Sequence, residues 1–367
     1  MNKKIIVSVI SDVVTDQRVQ KECNTLHMLG YEVLVLGRKS ANSFLLKELP
    51  YKVIRFKNLF RRGPLMYLVF NTQLFFYLLF SKAHIVWAND LDTLLPNFLI
   101  SRLKQTKLIY DSHEYFTASV YKKHSRDVWE RLEKFLFPKL KNVITVNDSI
   151  KQVYEKKYNV PITVLRNVPY KLKPSIEKIK LSNDKKILVM QGIGLNENRG
   201  AEEALLSMQF LPGDFNLYFI GSGTVINKLK IMVRNLSLSS KVTFIDTMPY
   251  QQMMEYTTQC FLGLIFEKIQ VSDQHLFALP NKFFDYIQAG IPILSSHAVE
   301  IERLIKQYEV GDFIDRFEPA EIAEKILEIS KDTCQYAAWK KNTIEAAQVL
   351  NWETAKGVLI EFMKHLK

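Results

Sequence analysis

The stretch Leu279-Pro280-Asn281-Lys282-Phe283-Phe284-Asp285-Tyr286-Ile287-Gln288-Ala289-Gly290-Ile291-Pro292-Ile293 reads as a loop, a short helix and a turn into a strand. Lys282 and Asp285 stand three apart and therefore share a helix face. The first backbone N–H groups of a helix have no intrahelical partners, and they carry the positive end of its dipole. With Lys282 beside them, such groups around Leu279, Asn281 and Lys282 make a site for a phosphate. Asp285, one turn in, can accept hydrogen bonds from ribose hydroxyls. An acid in the first turn is also ordinary helix-dipole chemistry, so this stretch alone leaves both readings open.

His113 and Glu114 follow an apolar run at 108–110, Asp90 follows one at 85–88, and Asp12 follows the first run of the chain. Ends of strands are where α/β sheets present their functional groups. Beside a structural histidine, His113 is thus a candidate site residue. The other histidines show no metal-ligand spacing, and no G-x-x-x-x-G-K-[ST] phosphate loop is present. Gly221-Ser222-Gly223 is too short for a dinucleotide fingerprint. Cys23, Cys260 and Cys334 are far apart, which excludes a disulfide framework or thiolate zinc site and fits a reducing compartment.

The elements that must carry these residues alternate along the chain. Strands are expected at 5–10, 33–36, 53–56, 85–88, 108–110, 143–146 and 163–165, with amphipathic helical patterns between them. A Lys-, Pro- and Ser-rich linker runs from Pro169 to about Lys186, and the rhythm resumes with strands at 187–191, 217–220, 242–245, 262–266 and 291–295. The fold class is α/β: two Rossmann-like, doubly wound domains facing a cleft. The expected domains are 1–170 and 171–350, with 351–367 as a helix returning towards the first. In 367 residues, 47% apolar and 24% charged residues exclude a disordered or fibrous chain.

The net charge of +12 is unevenly placed. Residues 1–170 hold 27 Lys and Arg against 14 Asp and Glu, whereas residues 171–367 hold 23 against 24. The first half is therefore +13 and the second −1. Such a surplus suits an anionic partner, and near an anionic leaflet each cation contributes on the order of 1 kcal/mol. Pro64–Phe80 is the most apolar segment and is interrupted by Asn71-Thr72-Gln73, too short to span a bilayer. It reads as a buried helix with Pro64 at its first position. A helix lying in a membrane interface, with Arg61-Arg62 at its start, is the alternative. The opening apolar run is too short for an export signal, so a cytoplasmic protein is expected.

Several motifs resemble those of the retaining family 4 glycosyltransferases with the GT-B fold. Residues 279–293 resemble that family's P-N-K-x-F-E-Y-x-x-A-G-x-P. Asp16-Gln17-Arg18-Val19-Gln20-Lys21-Glu22 is similar to its opening D-x-R-V-x-K-E. Trp87-Ala88-Asn89-Asp90, Tyr110-Asp111-Ser112-His113-Glu114 and Val164-Leu165-Arg166-Asn167 look like later parts of its first domain. Gln191-Gly192, Arg199-Gly200 and Ile220-Gly221-Ser222-Gly223 look like the start of its second. The resemblance covers nearly the whole chain, and order and spacing carry it.

That resemblance implies a metal-independent transferase that moves a sugar from a UDP- or GDP-sugar to a hydroxyl of a glycan or lipid-linked acceptor. Retention of configuration and bacterial-type surface polysaccharide synthesis at the inner face of the cell membrane are part of it. The nucleotide sugar is co-substrate, no cofactor is expected, and nucleic acid is not an expected partner. Arg199 and Lys282 would meet the donor diphosphate, with Gly192, Gly221, Leu279 and Asn281 around it and Asp285 on the ribose. His113 would lie near the transferred sugar, and Asp12, Asp90 and Glu114 on the acceptor side. The basic first half suits docking on an anionic membrane.

Three departures stand out. The first of the family's paired acids falls on Phe277, residues 11–15 hold no glycine, and Gly194 sits near the place of a basic residue. Asp90-Leu91-Asp92 has the form of the D-x-D metal motif of the other major glycosyltransferase fold, which lacks a second α/β half. A nucleotide-sugar epimerase or a phosphorylase on the same fold remains as an alternative. So does a non-catalytic, basic membrane- or nucleic-acid-binding protein.

Overall fold

The computed structural model describes residues 3–14, 16–39, 48–60, 62–120, 123–172 and 185–366. Thr15, Arg61 and the linker segment 173–184, which figure in the sequence reading, lie outside the described residues. The chain divides into two units, residues 1–167 with 355–367, and residues 168–354.

The first unit is built on a parallel sheet of β1 (Lys4–Ser8), β2 (Glu32–Lys39), β3 (Lys52–Lys57), β4 (Ile85–Asn89), β5 (Lys107–Ser112), β6 (Val143–Thr145) and β7 (Ile162–Val164). Its order is β3-β2-β1-β4-β5-β6-β7, with Ser8 beside both Leu36 and Ala88. Helices cover both faces of such a sheet, so its central strands read as unbroken apolar runs. Ile5, Ile6, Val7, Val86 and Trp87 are buried for that reason. The order reverses between β1 and β4, the point at which doubly wound sheets open a crevice at their carboxyl ends. Asp12 lies in the loop after β1, and Asp90 directly follows β4.

The second unit repeats the plan with β8 (Lys186–Gly192), β9 (Phe215–Gly221), β10 (Val242–Ile245), β11 (Leu262–Ile265), β12 (Ile293–Ser295) and β13 (Gly311–Phe313). All pairs are parallel in the order β10-β9-β8-β11-β12-β13, so the reversal falls between β8 and β11. Gly192 ends β8, and Glu267 comes just after β11. A cluster that includes Leu188, Met190, Leu205, Leu217, Phe219, Leu264 and Ile326 fills one side of this sheet.

Two expectations change. Pro64–Phe80 is a helix with the expected bounds, but it is buried on one side only: Met66, Phe70, Leu74 and Leu78 point inward. Phe70, Leu74 and Leu78 pack with Ile6, Leu34, Leu36, Val86 and Ile100, over β1, β2 and β4. Leu65, Leu68, Phe76 and Phe80, half a turn round, are exposed. The boundary between units falls at 167/168, and the terminal helix Trp352–Lys364 groups with the first unit from Ala355 onward. There Lys107 Nζ donates to the carbonyl of Leu366 at 2.7 Å.

Candidate functional site

In the second unit, the helix Asn281–Ala289 begins after Pro280, whose side chain cannot cap it. The helix ends at Gly290 in the left-handed conformation, as glycine at that position allows. Its inner face buries Phe283, Phe284, Tyr286 and Ile287, which holds Lys282 and Asp285 at the edge of the core, both buried. Tyr286 is the anchor: its hydroxyl donates to the carbonyl of Val189 in β8 at 3.0 Å. This fastens the helix start beside the carboxyl end of β8.

Around Lys282 the structure gathers Arg199, Glu267 and His275. Arg199 donates to Glu267 Oε1 at 2.9 Å, and His275 Nδ1 lies 2.8 Å from Glu267 Oε2. The Glu267 backbone N–H donates to Ser296 Oγ at 2.9 Å, and that hydroxyl donates back to the Glu267 carbonyl at 2.8 Å, which locks the carboxylate in place. Burial pushes the Glu267 carboxyl up. The hydrogen bond from His275 and the charges of Arg199 and Lys282 outweigh it and hold the group below its usual range. Lys282 moves the other way, down to about 8: burial disfavours its charge and Arg199 repels it, against the attraction of Glu267. Glu267 is thus one carboxylate shared by two cations. An anion arriving here would restore the balance, because an opposite charge favours the ammonium form.

Asp285 is set for a different contact. Tyr250 donates to its Oδ1 at 2.9 Å, and Gln191 Nε2 to its Oδ2 at 3.3 Å, while Gln191 Oε1 accepts from Thr257 Oγ1 at 2.7 Å. The carboxylate therefore has a fixed orientation beside the end of β8. Backbone lies close by: Gly221 has φ +119°, and a Cβ there would come 2.2 Å from the Gly192 carbonyl. At Gly223 a Cβ would come 1.9 Å from the Leu195 carbonyl. Only glycine allows the turns after β8 and β9 to sit this near each other. Of the residues singled out for the donor, the structure brings Gly192, Arg199, Gly221, Lys282 and Asp285 to one end of the sheet, with Leu279 and exposed Asn281 on the approach.

In the first unit, the motif Asp16–Glu22 has a structural meaning. Asp16 accepts from the backbone N–H of Val19 at 3.1 Å and caps the helix Gln17–Met28. Arg18, fully buried, grips both oxygens of Asp111 at 2.9 and 2.7 Å and donates to the Leu165 carbonyl at 2.7 Å. Lys21 reaches Asn167 at 2.9 Å. One helix face thereby ties the ends of β5 and β7.

His113 stands over this network. Its Nε2 lies 3.0 Å from Asn89 Oδ1 and 3.2 Å from Asp111 Oδ2, and its Nδ1 is 3.5 Å from Asp90 Oδ2. Its backbone N–H donates to Asp90 Oδ1 at 2.8 Å. Burial lowers the imidazole's affinity for a proton, yet the carboxylates of Asp90 and Asp111 push it up to about 10. His113 is thus an imidazolium at neutral pH, a donor of hydrogen bonds and not a base. Asp90 itself is raised to about 6, mainly by burial, against the pull of His113. Its backbone sits at φ 57°, ψ 167°, a conformation that costs a non-glycine residue about 1–3 kcal/mol and that clusters at functional sites. Glu114 follows in the same turn, its carbonyl accepting from Ser112 Oγ at 2.8 Å. Asp12 is engaged elsewhere, 3.5 Å from Arg55.

Glu22, Asp111 and His113 bring ligand atoms within 4.8 Å of one another. Arg18 already supplies the cation such a set would attract, so the group reads as an ion-pair network. The carboxyl of Asp92, partner of Asp90 in the D-x-D string, is buried and raised well above its usual range by that burial. It is not turned to a shared ligand with Asp90, whose two oxygens face His113.

Motif and spacing alone do not single out Glu267, His275 or Tyr250. Glu267 had a signal, since it is the first charged residue after the apolar strand that ends at Phe266. Phe277, where the first of the family's paired acids would fall, closes the short helix Asp273–Leu276.

The pattern described as Glycosyltransferase Family 4 matches residues 17–168, and that described as Glycosyl transferases group 1 matches residues 173–346. Among curated proteins, none matches the sequence. The fold is similar to sucrose-phosphate synthase of Thermosynechococcus elongatus, TM-score 0.79 at 15% identity, over 100% of this chain and 99% of that one. It is also similar to the Anabaena protein HepE in complex with UDP and glucose, TM-score 0.76 at 16% identity over the whole of both chains. WaaG, a glycosyltransferase involved in lipopolysaccharide biosynthesis, gives 0.70 at 14% identity, over 96% of this chain and 99% of that one.

Proposed function

The chain belongs to the group 1 glycosyltransferases of the GT-B fold, and from that membership we propose that it moves a sugar from a UDP- or GDP-sugar to a hydroxyl of a glycan or lipid-linked acceptor. The observation that carries this reading is the set Arg199–Glu267–Lys282 beside the uncapped start of the helix Asn281–Ala289. HepE, similar in fold, is seen with UDP and with UDP-glucose, which supports the choice of donor class.

In this reaction the bond between the anomeric carbon and the diphosphate oxygen breaks, and its electrons leave with the nucleotide diphosphate. The acceptor oxygen forms the new bond to that carbon, and its proton passes to the departing diphosphate. The developing negative charge needs preorganised positive groups. Lys282 and Arg199 supply two, and the helix dipole adds to them. Glu267 keeps both cations in position and is held ionised by His275. Asp285, oriented by Tyr250 and Gln191, accepts from the ribose hydroxyls. In the first unit, the family resemblance puts the His113 imidazolium near the transferred sugar and Asp90 on the acceptor side. Phosphate charge is met wholly by side chains and backbone in this scheme, so no metal is needed. Retention of configuration and a role in surface polysaccharide synthesis are part of the proposal through the family resemblance.

The test is release of nucleotide from a panel of UDP- and GDP-sugars offered with lipid-linked glycan acceptors. Acceptor-dependent release is expected from one base. Conversion of the donor without any acceptor would favour an epimerase, and no turnover with any pair would count against the reading.

A further inference from the structure

The helix Pro64–Phe80 contains no charged residue. A helix that is apolar on every side belongs inside a core, yet one side of this one meets solvent. Leu68 is 63% exposed, Phe76 53% and Phe80 83%, with Leu65 and Thr72 completing the same stripe. The next helix, Leu91–Lys104, repeats the pattern with Leu95, Leu99 and Leu103, all exposed and spaced four apart. The two helices lie side by side. Asn71 Nδ2 donates to the Asp92 carbonyl at 2.9 Å, and Lys104 Nζ donates to the carbonyls of Leu78 and Ser81 at 3.0 and 2.7 Å. Their inner faces meet in the same cluster, through Phe70, Leu74, Leu78 and Ile100, so both stripes point away from the sheet. An exposed apolar surface spread over two helices marks a contact site.

Charge identifies what it contacts. Residues 51–110 hold nine Lys and Arg and only two acids, Asp90 and Asp92. Asp92 is buried and Asp90 faces His113, so neither lies on the stripes. The cations flank them instead: exposed Arg62 before the first helix, exposed Lys82 after it, and exposed Arg102 beside Leu103. Apolar side chains in the middle with cations at the ends suit an acyl boundary beneath anionic headgroups. No described helix is long and apolar enough to cross a bilayer. We propose that the paired outer faces of Pro64–Phe80 and Leu91–Lys104 lie on an anionic lipid bilayer, with Leu68, Phe76 and Phe80 entering the interface. The inference does not depend on the sugar-transfer reading.

The test is co-sedimentation of the full chain, without nucleotide, with vesicles of phosphatidylcholine alone or mixed with phosphatidylglycerol. Binding to the mixed vesicles is expected. Replacing Leu68, Phe76 and Phe80 together by Gln should weaken it more than about tenfold. Arg62→Gln and Lys82→Gln should each cost about fivefold. Phe210→Gln, at an exposed apolar position of the second unit, should change nothing. All four variants lie at exposed sites, so the thermal unfolding of each should match the parent and report that the fold is intact. Equal binding to both vesicle types, undiminished binding by the triple variant, or an equal loss in Phe210→Gln would overturn the proposal. So would a parent dimer that the triple variant turns into a monomer by light scattering, because the face would then belong to a second copy.

Discussion

The two units share a plan and use charge in opposite ways. The first belongs to the half with a net +13, yet at its strand ends three carboxyl groups, Glu22, Asp90 and Asp111, surround two cations, Arg18 and His113. The second belongs to the half with −1, yet around Lys282 one carboxylate serves two cations. Surface charge and site charge are therefore separate features. The surplus of the first unit lies over its outer surface, where it suits a partner much larger than a substrate. The cations of the second are few, local and short of counter-charge, which suits a diphosphate.

The largest expected effect is on the saturated network. Arg18→Met leaves the Asp111 carboxylate buried without the guanidinium that grips both its oxygens and should cost about 3–5 kcal/mol in denaturant unfolding. Lys282→Met should leave stability nearly unchanged, because it removes a cation that burial already disfavours, but should lower transfer about 10²–10³-fold in a nucleotide-release assay. If both variants simply unfolded, the contrast between a structural and a functional charge cluster would fail.

The pH dependence sharpens the same contrast. Lys282 carries its charge below about 8 and loses it above. The rate at low donor concentration should therefore fall as pH rises through that value. The limb measured at saturating donor should lie higher, since bound diphosphate favours the ammonium form. Lys282→Arg should remove the limb from the measurable range, because a guanidinium stays charged. Asp285→Ala should raise the KM for the donor about tenfold or more with a smaller change in kcat, as for the loss of a charge-assisted hydrogen bond of about 1.5–3 kcal/mol. The smallest effect belongs to Glu22→Gln. Neither oxygen of Glu22 accepts a hydrogen bond among the described residues, and burial holds its carboxyl well above the usual range. The neutral amide should thus change stability by less than about 1 kcal/mol in the same unfolding assay.

Much of this is readable in the chain because parallel strands buried on both faces leave continuous apolar runs. The Pro64–Phe80 helix has the bounds its composition predicts, since Pro64 starts it and Ser81-Lys82 ends the apolar run. Its exposure is not readable, because Leu and Phe stand on both sides and periodicity gives no direction. The edge strand Gly311–Phe313 escapes notice because Gly-Asp-Phe has no apolar run; a Cβ at Gly311 would strike the Ile293 carbonyl at 1.9 Å. Within the site, Lys282 and Asp285 are legible because one helix turn relates them. Arg18 with Asp111, and Glu267 with Arg199, are not, because each pair is joined only when segments distant in the chain come together.

The central claim is that the second unit's cation-rich site holds the nucleotide diphosphate while the first unit's carboxyl-rich site does not. Calorimetric titration of UDP and GDP into the parent, Lys282→Met and Asp90→Asn tests it directly. The account predicts that one nucleotide binds the parent, binds Asp90→Asn with the same affinity, and binds Lys282→Met at least about tenfold more weakly. Undiminished binding by Lys282→Met, or loss of binding in Asp90→Asn, would contradict it.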